Sequence, residues 1–313
     1  TVLENVTTMN RFMGFSDNCE LQILQDLLFL VMYLLVLAHN LIIITIITLD
    51  QALQSPMCYF LKHLSLLEIS FISVMVPSID NALKGDSHNS HRQCVLQVFF
   101  FTFLAWAKVA ILTTMSYAHY TAICFLLHYE LIMDPGTGLV HTWLRGPASG
   151  ILYTAATFST TFSKAEIIHH FFCDVPQLLK LSCSNDYIGV IGVAVFMSVL
   201  VFTCFSFIVP SYIHIFSTVL TIPSAEGQSK ACSNCLPHLS VFLFFISTGI
   251  FEFLKPTYDS PTALDLMVSI FYTTVSPPLN PMIYSLINEA MRRALRWLLL
   301  EGDPRKKAFC PVE

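Results

Sequence analysis

Two ionisable side chains lie deep inside long apolar runs of the sequence. Glu68 follows Pro56 by about 18 Å along a helix axis, and Lys108 follows Cys94 by about 21 Å, which places both near the centre of a bilayer. An isolated charge at that depth costs about 2.5 to 3.5 kcal/mol or more, so we predict an ion pair between neighbouring helices. The alternative is that Lys108 extends to water or to the membrane surface.

Two other groups have the residue types of redox or metal chemistry. Cys232-Ser-Asn-Cys235 has the spacing of a redox pair or of half a zinc site, but the sequence contains no second pair. His169-His170 lies beside Cys173 and, with Cys183, has the ligand types for copper or zinc; the alternative is loop packing. No supported Ser/His/Asp arrangement, phosphate-binding glycine loop or carboxylate pair in a cleft can be named. We therefore predict neither enzyme activity nor a bound metal or cofactor.

The composition indicates that membrane helices position these residues. Of the 313 residues, 55% are hydrophobic and 12% are charged, against roughly 25% charged in an average soluble domain. A membrane span needs roughly 20 apolar residues. Seven runs are long enough: 23–48, 57–79, 95–125, 139–162, 188–219, 237–254 and 264–287. The predicted fold class is an all-α membrane protein, a seven-transmembrane helix bundle embedded in the lipid bilayer.

Basic residues indicate the orientation of the bundle. Six of the 16 Lys and Arg residues follow the last run: Arg292, Arg293, Arg296, Arg305, Lys306 and Lys307. By the positive-inside rule, we predict that segment 288–313 is cytoplasmic and tail 1–22 is extracellular, with residues 23–287 forming the seven-helix bundle between them. The tail carries Asn5 in a glycosylation triplet. The net charge of −5 and the lack of a basic stripe exclude a nucleic-acid partner.

The segment after the last run has two faces. Arginines occupy one face of residues 288–300, and the other face is apolar, with Met291, Leu295, Leu298 and Leu299. This pattern predicts a short amphipathic helix on the cytoplasmic leaflet. On the opposite side, Cys94, Cys173 and Cys183 fall in polar segments facing the oxidising compartment, which allows a bridge between Cys94 and Cys173.

A series of short motifs runs along the chain. They are Leu53-Gln-Ser-Pro-Met57 with Leu64-Ser-Leu-Leu-Glu68, Met115-Ser-Tyr-Ala-His-Tyr-Thr-Ala-Ile-Cys124, Leu127-His-Tyr129, His170-Phe-Phe-Cys-Asp-Val-Pro176, Ser211-Tyr212, Lys230-Ala-Cys-Ser-Asn-Cys235 and Pro277-Pro-Leu-Asn-Pro-Met-Ile-Tyr-Ser-Leu286. In this order, over nearly the whole chain, they resemble the vertebrate olfactory receptors of the rhodopsin-like G-protein-coupled class, tetrapod type. The resemblance implies a plasma-membrane receptor for small hydrophobic odorants that signals through a heterotrimeric stimulatory G protein.

The resemblance also implies a ligand pocket in the outer half of the bundle. The matching positions are Phe101, Thr102, Ala105 and Trp106 in span three, Phe196, Met197 and Leu200 in span five, Ile246, Gly249, Ile250 and Phe253 in span six, and Ile270 and Thr273 in span seven. These side chains are apolar apart from one or two hydroxyls, which suits a small hydrophobic ligand. The alternative is that they only pack the bundle.

By the same resemblance, a coupling switch lies at the inner end of the bundle. Its positions are Ala118, His119, Tyr120, Tyr212, Asn280, Pro281 and Tyr284. In the family, the proline distorts the last span and the two tyrosines move into the cytoplasmic cleft of the active state. The alternative is that the kink at this proline serves only to pack the helices. The resemblance also implies a disulfide between Cys94 and Cys173.

Several residues depart from the family pattern. Ala118-His119 stands where the family has Asp-Arg, and a histidine replaces an arginine fork poorly because it is shorter and at most partly charged. Lys108 stands at a usually acidic position of a sodium site, so we expect its ammonium to replace the ion. Pro147 replaces a tryptophan, and Ser163 replaces the cysteine expected to pair with Cys183.

These departures leave two alternatives to an active receptor. The first is a chain of the same fold that has lost signalling. For His119 itself, the alternative to a switch role is that its side chain only caps a helix end in water. The second is a transporter or channel, which predicts inverted repeats and several polar groups at the membrane midplane. The sequence shows only Glu68 and Lys108 in such positions.

Overall fold

The computed structural model describes residues 19–50, 55–83, 90–125, 135–159, 188–254, 283 and 291–296. These residues form six long helices: α1 (Cys19–Leu49), α2 (Pro56–Leu83), α3 (Ser90–Cys124), α4 (Pro135–Phe158), α5 (Ile188–Thr221) and α6 (Ala225–Leu254). Residues 291–296 form a short helical segment. The part of the chain that the structure describes contains no β-strand, in agreement with the all-α prediction.

Each long helix overlaps one of the first six apolar runs. Four of the described helices contain segments long and apolar enough to cross a membrane: Leu30–Leu49, Pro56–Val74, Cys94–Cys124 and Ile191–Thr221. In α4 the apolar run is interrupted by Arg145 and Pro147. Helix α6 begins well before its predicted span at 237, because the polar residues after Ala225 continue the helix beyond the apolar run. The seventh run lies outside the described residues, apart from the helical Ile283.

Serine side chains fix the starts of two helices. The backbone N–H of Cys58 donates to Ser55 Oγ at 3.3 Å, and Pro56 occupies the first helical position, where its missing N–H costs nothing. At the start of α6, the N–H of Gly227 donates to Ser224 Oγ at 3.4 Å. Both caps set the point at which the chain turns from a connection into a helix.

Helix α3 lies at the centre of the described bundle and packs against α2, α4, α5 and α6. Its inward side chains are fully buried along several turns, including Ala107, Ile111, Leu112 and Met115. Because apolar residues surround α3 on nearly all sides, this helix supplies the core on which the other elements assemble.

Helix α4 approaches α3 through two glycines. A Cβ atom at Gly146 would lie 2.8 Å from the Phe103 ring, and one at Gly150 would lie 3.0 Å from the Phe99 ring. The outer face of the same helix exposes Leu144. The glycines therefore let α4 pack closely on α3 although Pro147 lies between them.

The outer surface of the bundle is strongly apolar, with Phe202 and Leu220 of α5 among its most exposed side chains. Such a surface suits lipid as the surrounding solvent. In the segment 291–296, Met291 and Ala294 are buried while the arginines are exposed. That arrangement has the two faces expected of the predicted amphipathic helix.

Candidate functional site

The Lys108 and Glu68 side chains meet in the middle of the bundle. Lys108 Nζ lies 2.6 Å from Glu68 Oε1, and the two side chains are 10% and 3% exposed. Their neighbours Leu67 and Ala107 are buried. Helices α2 and α3 are thus joined by an ion pair that is screened from solvent, where charge–charge attraction is strong but desolvation is costly.

A third helix contributes to the same layer. Lys108 Nζ lies 5.0 Å from the ring centroid of Phe245 on α6, within the range of a cation–π contact. The ammonium therefore has a carboxylate on one helix and an aromatic face on another. Sequence reasoning missed Phe245, because nothing in the sequence distinguishes it among the 26 phenylalanines.

The predicted pocket residues of α3, α5 and α6 fall into two groups. Thr102 and Met197 are buried, and Ala105, Trp106, Leu200 and Ile246 are half-buried. Phe101 and Phe196 are 48% and 53% exposed. The Phe101 ring lies 5.9 Å from that of Phe71 on α2. The buried group comes from α3 and from two helices that pack against it, α5 and α6, whereas the two phenylalanines lie at the surface.

The remaining pocket predictions fall where side chains are not described. Gly249, Ile250 and Phe253 belong to the C-terminal end of α6, where only the helical backbone is described. Ile270 and Thr273 lie outside the described residues, as do Asn5, Cys173, Cys183, Asn280, Pro281 and Tyr284. Cys94 is disulfide-bonded, and its pairing with Cys173 stays a prediction.

A hydrogen-bonded chain links α5, α6 and α3 nearer the C-terminal end of α3. His238 Nε2 lies 3.0 Å from the carbonyl oxygen of Leu112, and its Nδ1 is bonded to the hydroxyl of Tyr212. A carbonyl only accepts, so Nε2 carries the proton and donates. Nδ1 of the neutral ring then accepts from the Tyr212 hydroxyl. His238 was not singled out in the sequence, although a histidine within an apolar run of a predicted span is a usable signal.

His119 lies beside this chain and inside the bundle. Its side chain is 4% exposed, its ring centroid lies 5.4 Å from that of His238, and its Nδ1 lies 3.8 Å from Cys235 Sγ. Its Nε2 has no hydrogen-bond partner in the described part of the chain. His119 therefore does not cap a helix end in water. It fills the space between α3 and α6, next to the fully buried Ala118.

The remaining predicted switch residue with a described side chain is Tyr120, which is half-buried near the C-terminal end of α3. Its ring lies 6.0 Å from that of His214 on α5 and 5.5 Å from that of Phe125. Cys232 and Cys235 are free thiols. Within the described ranges, no group of three or more His, Cys, Asp and Glu residues is placed to share a metal ion.

Comparison with solved structures defines the class of fold. The chain superposes on the crystal structure of squid rhodopsin with a TM-score of 0.64 at 15% sequence identity, covering 96% of this chain and 94% of that one. The predicted fold class is thereby confirmed: the protein has the fold of a seven-helix transmembrane bundle.

Sequence comparison then gives the family. The olfactory receptor family model matches residues 29–302. The chain is 54% identical to olfactory receptor 14J1 of Homo sapiens, over 98% of this chain and 97% of that protein. It is 46% identical to olfactory receptor 14A16 of Homo sapiens, over 97% and 100%. The chain belongs to the olfactory receptor family, as its motifs predicted, and it is a receptor rather than an enzyme.

Proposed function

We propose that this protein is an odorant receptor of the plasma membrane, with its N-terminal tail outside the cell. It binds a small hydrophobic volatile molecule in the outer half of the bundle and signals through a stimulatory G protein. The family match over nearly the whole chain carries this proposal. The named relatives are olfactory receptors, and their similarity extends through every span predicted here.

The burial of side chains on α3, α5 and α6 supports a pocket between these three helices. Thr102 and Met197 are buried, and Ala105, Leu200 and Ile246 are half-buried. These residues combine an apolar lining with one hydroxyl, which suits a volatile ligand carrying at most one hydrogen-bonding group. Phe101 and Phe196 are more exposed than these residues, so we give them a smaller role in ligand contact than Thr102 and Met197.

The proposal is tested by measuring cyclic AMP in cells that display the protein and receive a mixed odorant panel. An active odorant is then titrated against Thr102→Val and Met197→Ala. Removing a contact with the ligand is expected to raise the half-maximal concentration about 10-fold, equivalent to roughly 1.4 kcal/mol. Phe202→Ala is the matched control because Phe202 lies on α5 near Met197 but is 71% exposed.

Surface display of each variant is measured with antibody against a tag on the N-terminal tail of intact cells. Labelling without permeabilisation is expected, since the tail is proposed to be extracellular. The proposed pocket would be contradicted if the odorant had the same potency on the two pocket variants as on the Phe202→Ala control, at equal surface display. Labelling only after permeabilisation would contradict the proposed orientation and location.

A further inference from the structure

Helix α6 is held against its neighbours at two levels. At the inner level, His238 is bonded to Leu112 and Tyr212, and Cys235 lies 3.8 Å from His119 Nδ1. At the middle level, the Phe245 ring lies under the Lys108 ammonium. His238 and Phe245 are about 10.5 Å apart along the helix axis and share one face, because seven residues make nearly two turns.

The two levels differ in chemistry. The inner level consists of neutral hydrogen bonds, whereas the middle level depends on a full positive charge. Glu68 holds that charge in place from α2 at 2.6 Å, and both side chains are almost completely buried. An ammonium with so little water around it is attracted to an aromatic face more strongly than one at the protein surface.

We propose that Lys108 is a latch on α6: Glu68 fixes its ammonium at the bundle centre, and the ammonium holds the Phe245 ring and thereby keeps α6 inward. The inference deepens the proposed signalling function, on which it rests, by naming the contact that must open before α6 moves away from α3. No ligand and no G protein are needed for the latch itself.

If this position served only to stabilise the bundle, apolar side chains would do so at least as well as an ion pair. Replacing a buried pair by apolar side chains of similar volume is often neutral or stabilising, whereas removing one partner leaves a buried charge uncompensated. The variant that removes both charges, Glu68→Leu with Lys108→Met, is therefore expected to fold. It separates the latch from the stability of the bundle.

The experiment measures the position of α6 in the purified full chain, in lipid nanodiscs without odorant or G protein. Spin labels are placed by noncanonical amino acids at Glu226 on α6 and Val140 on α4, both exposed near the inner helix ends. The native cysteines then stay in place. The distance distribution between the labels gives the ratio of outward to inward α6.

Phe245→Leu is expected to raise the outward-to-inward ratio about 5- to 30-fold, the range that corresponds to a desolvated cation–π contact. The matched control is Phe242→Leu on the same helix. Phe242 is buried and its ring lies 5.6 Å from that of Phe205, so the change removes similar aromatic volume with no cation involved. This control is expected to leave the distances close to native.

The Phe245→Leu substitution is then made in the double variant Glu68→Leu with Lys108→Met, which lacks both charges. In this variant the outward-to-inward ratio of α6 is expected to exceed that of the native chain already. Adding Phe245→Leu is expected to change that ratio less than twofold. An equal effect of Phe245→Leu in both backgrounds, or equal effects of Phe242→Leu and Phe245→Leu, would overturn the latch.

The two measurements, odorant response and label distance, distinguish failure of the latch from failure of the proposed function. An odorant response with unchanged distances in Phe245→Leu contradicts the latch and leaves the receptor function standing. If the label distances shift in Phe245→Leu but the protein responds to no odorant, the proposed function is contradicted and the latch still holds.

Discussion

Lys108 Nζ lies 2.6 Å from Glu68 Oε1 in the middle of the helix bundle, joining α3 to α2 by a buried ion pair. The relationship follows from where the two charges stand in the sequence. Each lies at a depth at which lipid makes an isolated charge costly, and the pairing offsets part of that cost for both. Arg145, a further charge within a predicted span, is exposed on α4 instead.

The first prediction concerns the stability contributed by this pair. Glu68→Gln and Lys108→Met alone should each destabilise the folded protein by about 3 to 5 kcal/mol, because the remaining partner loses its counter-charge. The two changes together should cost clearly less than the sum. Thermal unfolding of the purified protein in one detergent measures all three variants. Strictly additive losses of stability would show that the two side chains do not interact.

The second prediction concerns the hydrogen-bonded chain at the inner end. Tyr212→Phe should cost about 1 to 3 kcal/mol, because the buried Nδ1 of His238 loses its donor. In a His238→Phe background, the same tyrosine change should cost much less, since no acceptor is left unsatisfied. Thermal unfolding again gives the comparison, and an undiminished effect of Tyr212→Phe there would contradict the assigned contact.

The third prediction concerns the close approach of α4 to α3. Gly146→Ala should destabilise the protein by about 1 to 3 kcal/mol, because the new methyl group meets the Phe103 ring at 2.8 Å. Gly192→Ala on α5 is the matched control, since a Cβ there meets nothing within 4 Å. Equal effects of the two changes on yield and thermal unfolding would show that α4 does not pack as described.

The fourth prediction concerns the partner of the disulfide-bonded Cys94. If Cys173 is the partner, Cys94→Ser, Cys173→Ser and the double variant should lower surface display to the same extent, in line with a loss of about 2 to 5 kcal/mol. Cys204→Ser should leave display unchanged, because Cys204 is a free thiol. Additive losses in the double variant would point to a different pairing.

Much of the helical framework could be predicted from the sequence because apolar length alone identifies membrane spans. The start of α6 was placed too late, since the residues from Ala225 onward are polar and add helix outside the lipid. The Ser224 cap was the available signal. The Glu68–Lys108 contact was predictable because charge at depth has few acceptable arrangements.

The rotation of helices was harder to predict than their existence. Helix α3 is apolar on nearly every side, so the sequence does not distinguish its lipid face from its core face. Phe101 was assigned to the pocket by its match to a family position, and the structure places it 48% exposed beside Phe71. Phe245 became meaningful only when its neighbours on other helices were known, whereas His238 could have been singled out as a histidine within an apolar run.

The fifth prediction tests the central claim, that this olfactory receptor still couples to a stimulatory G protein with His119 at the switch. Odorant-dependent nucleotide exchange is measured on the purified G protein, with the native chain and with Ala118→Asp plus His119→Arg in matched nanodiscs. We expect the native chain to accelerate exchange when odorant is added, and the double variant to do so more strongly. A silent native chain beside a responsive double variant would contradict the account.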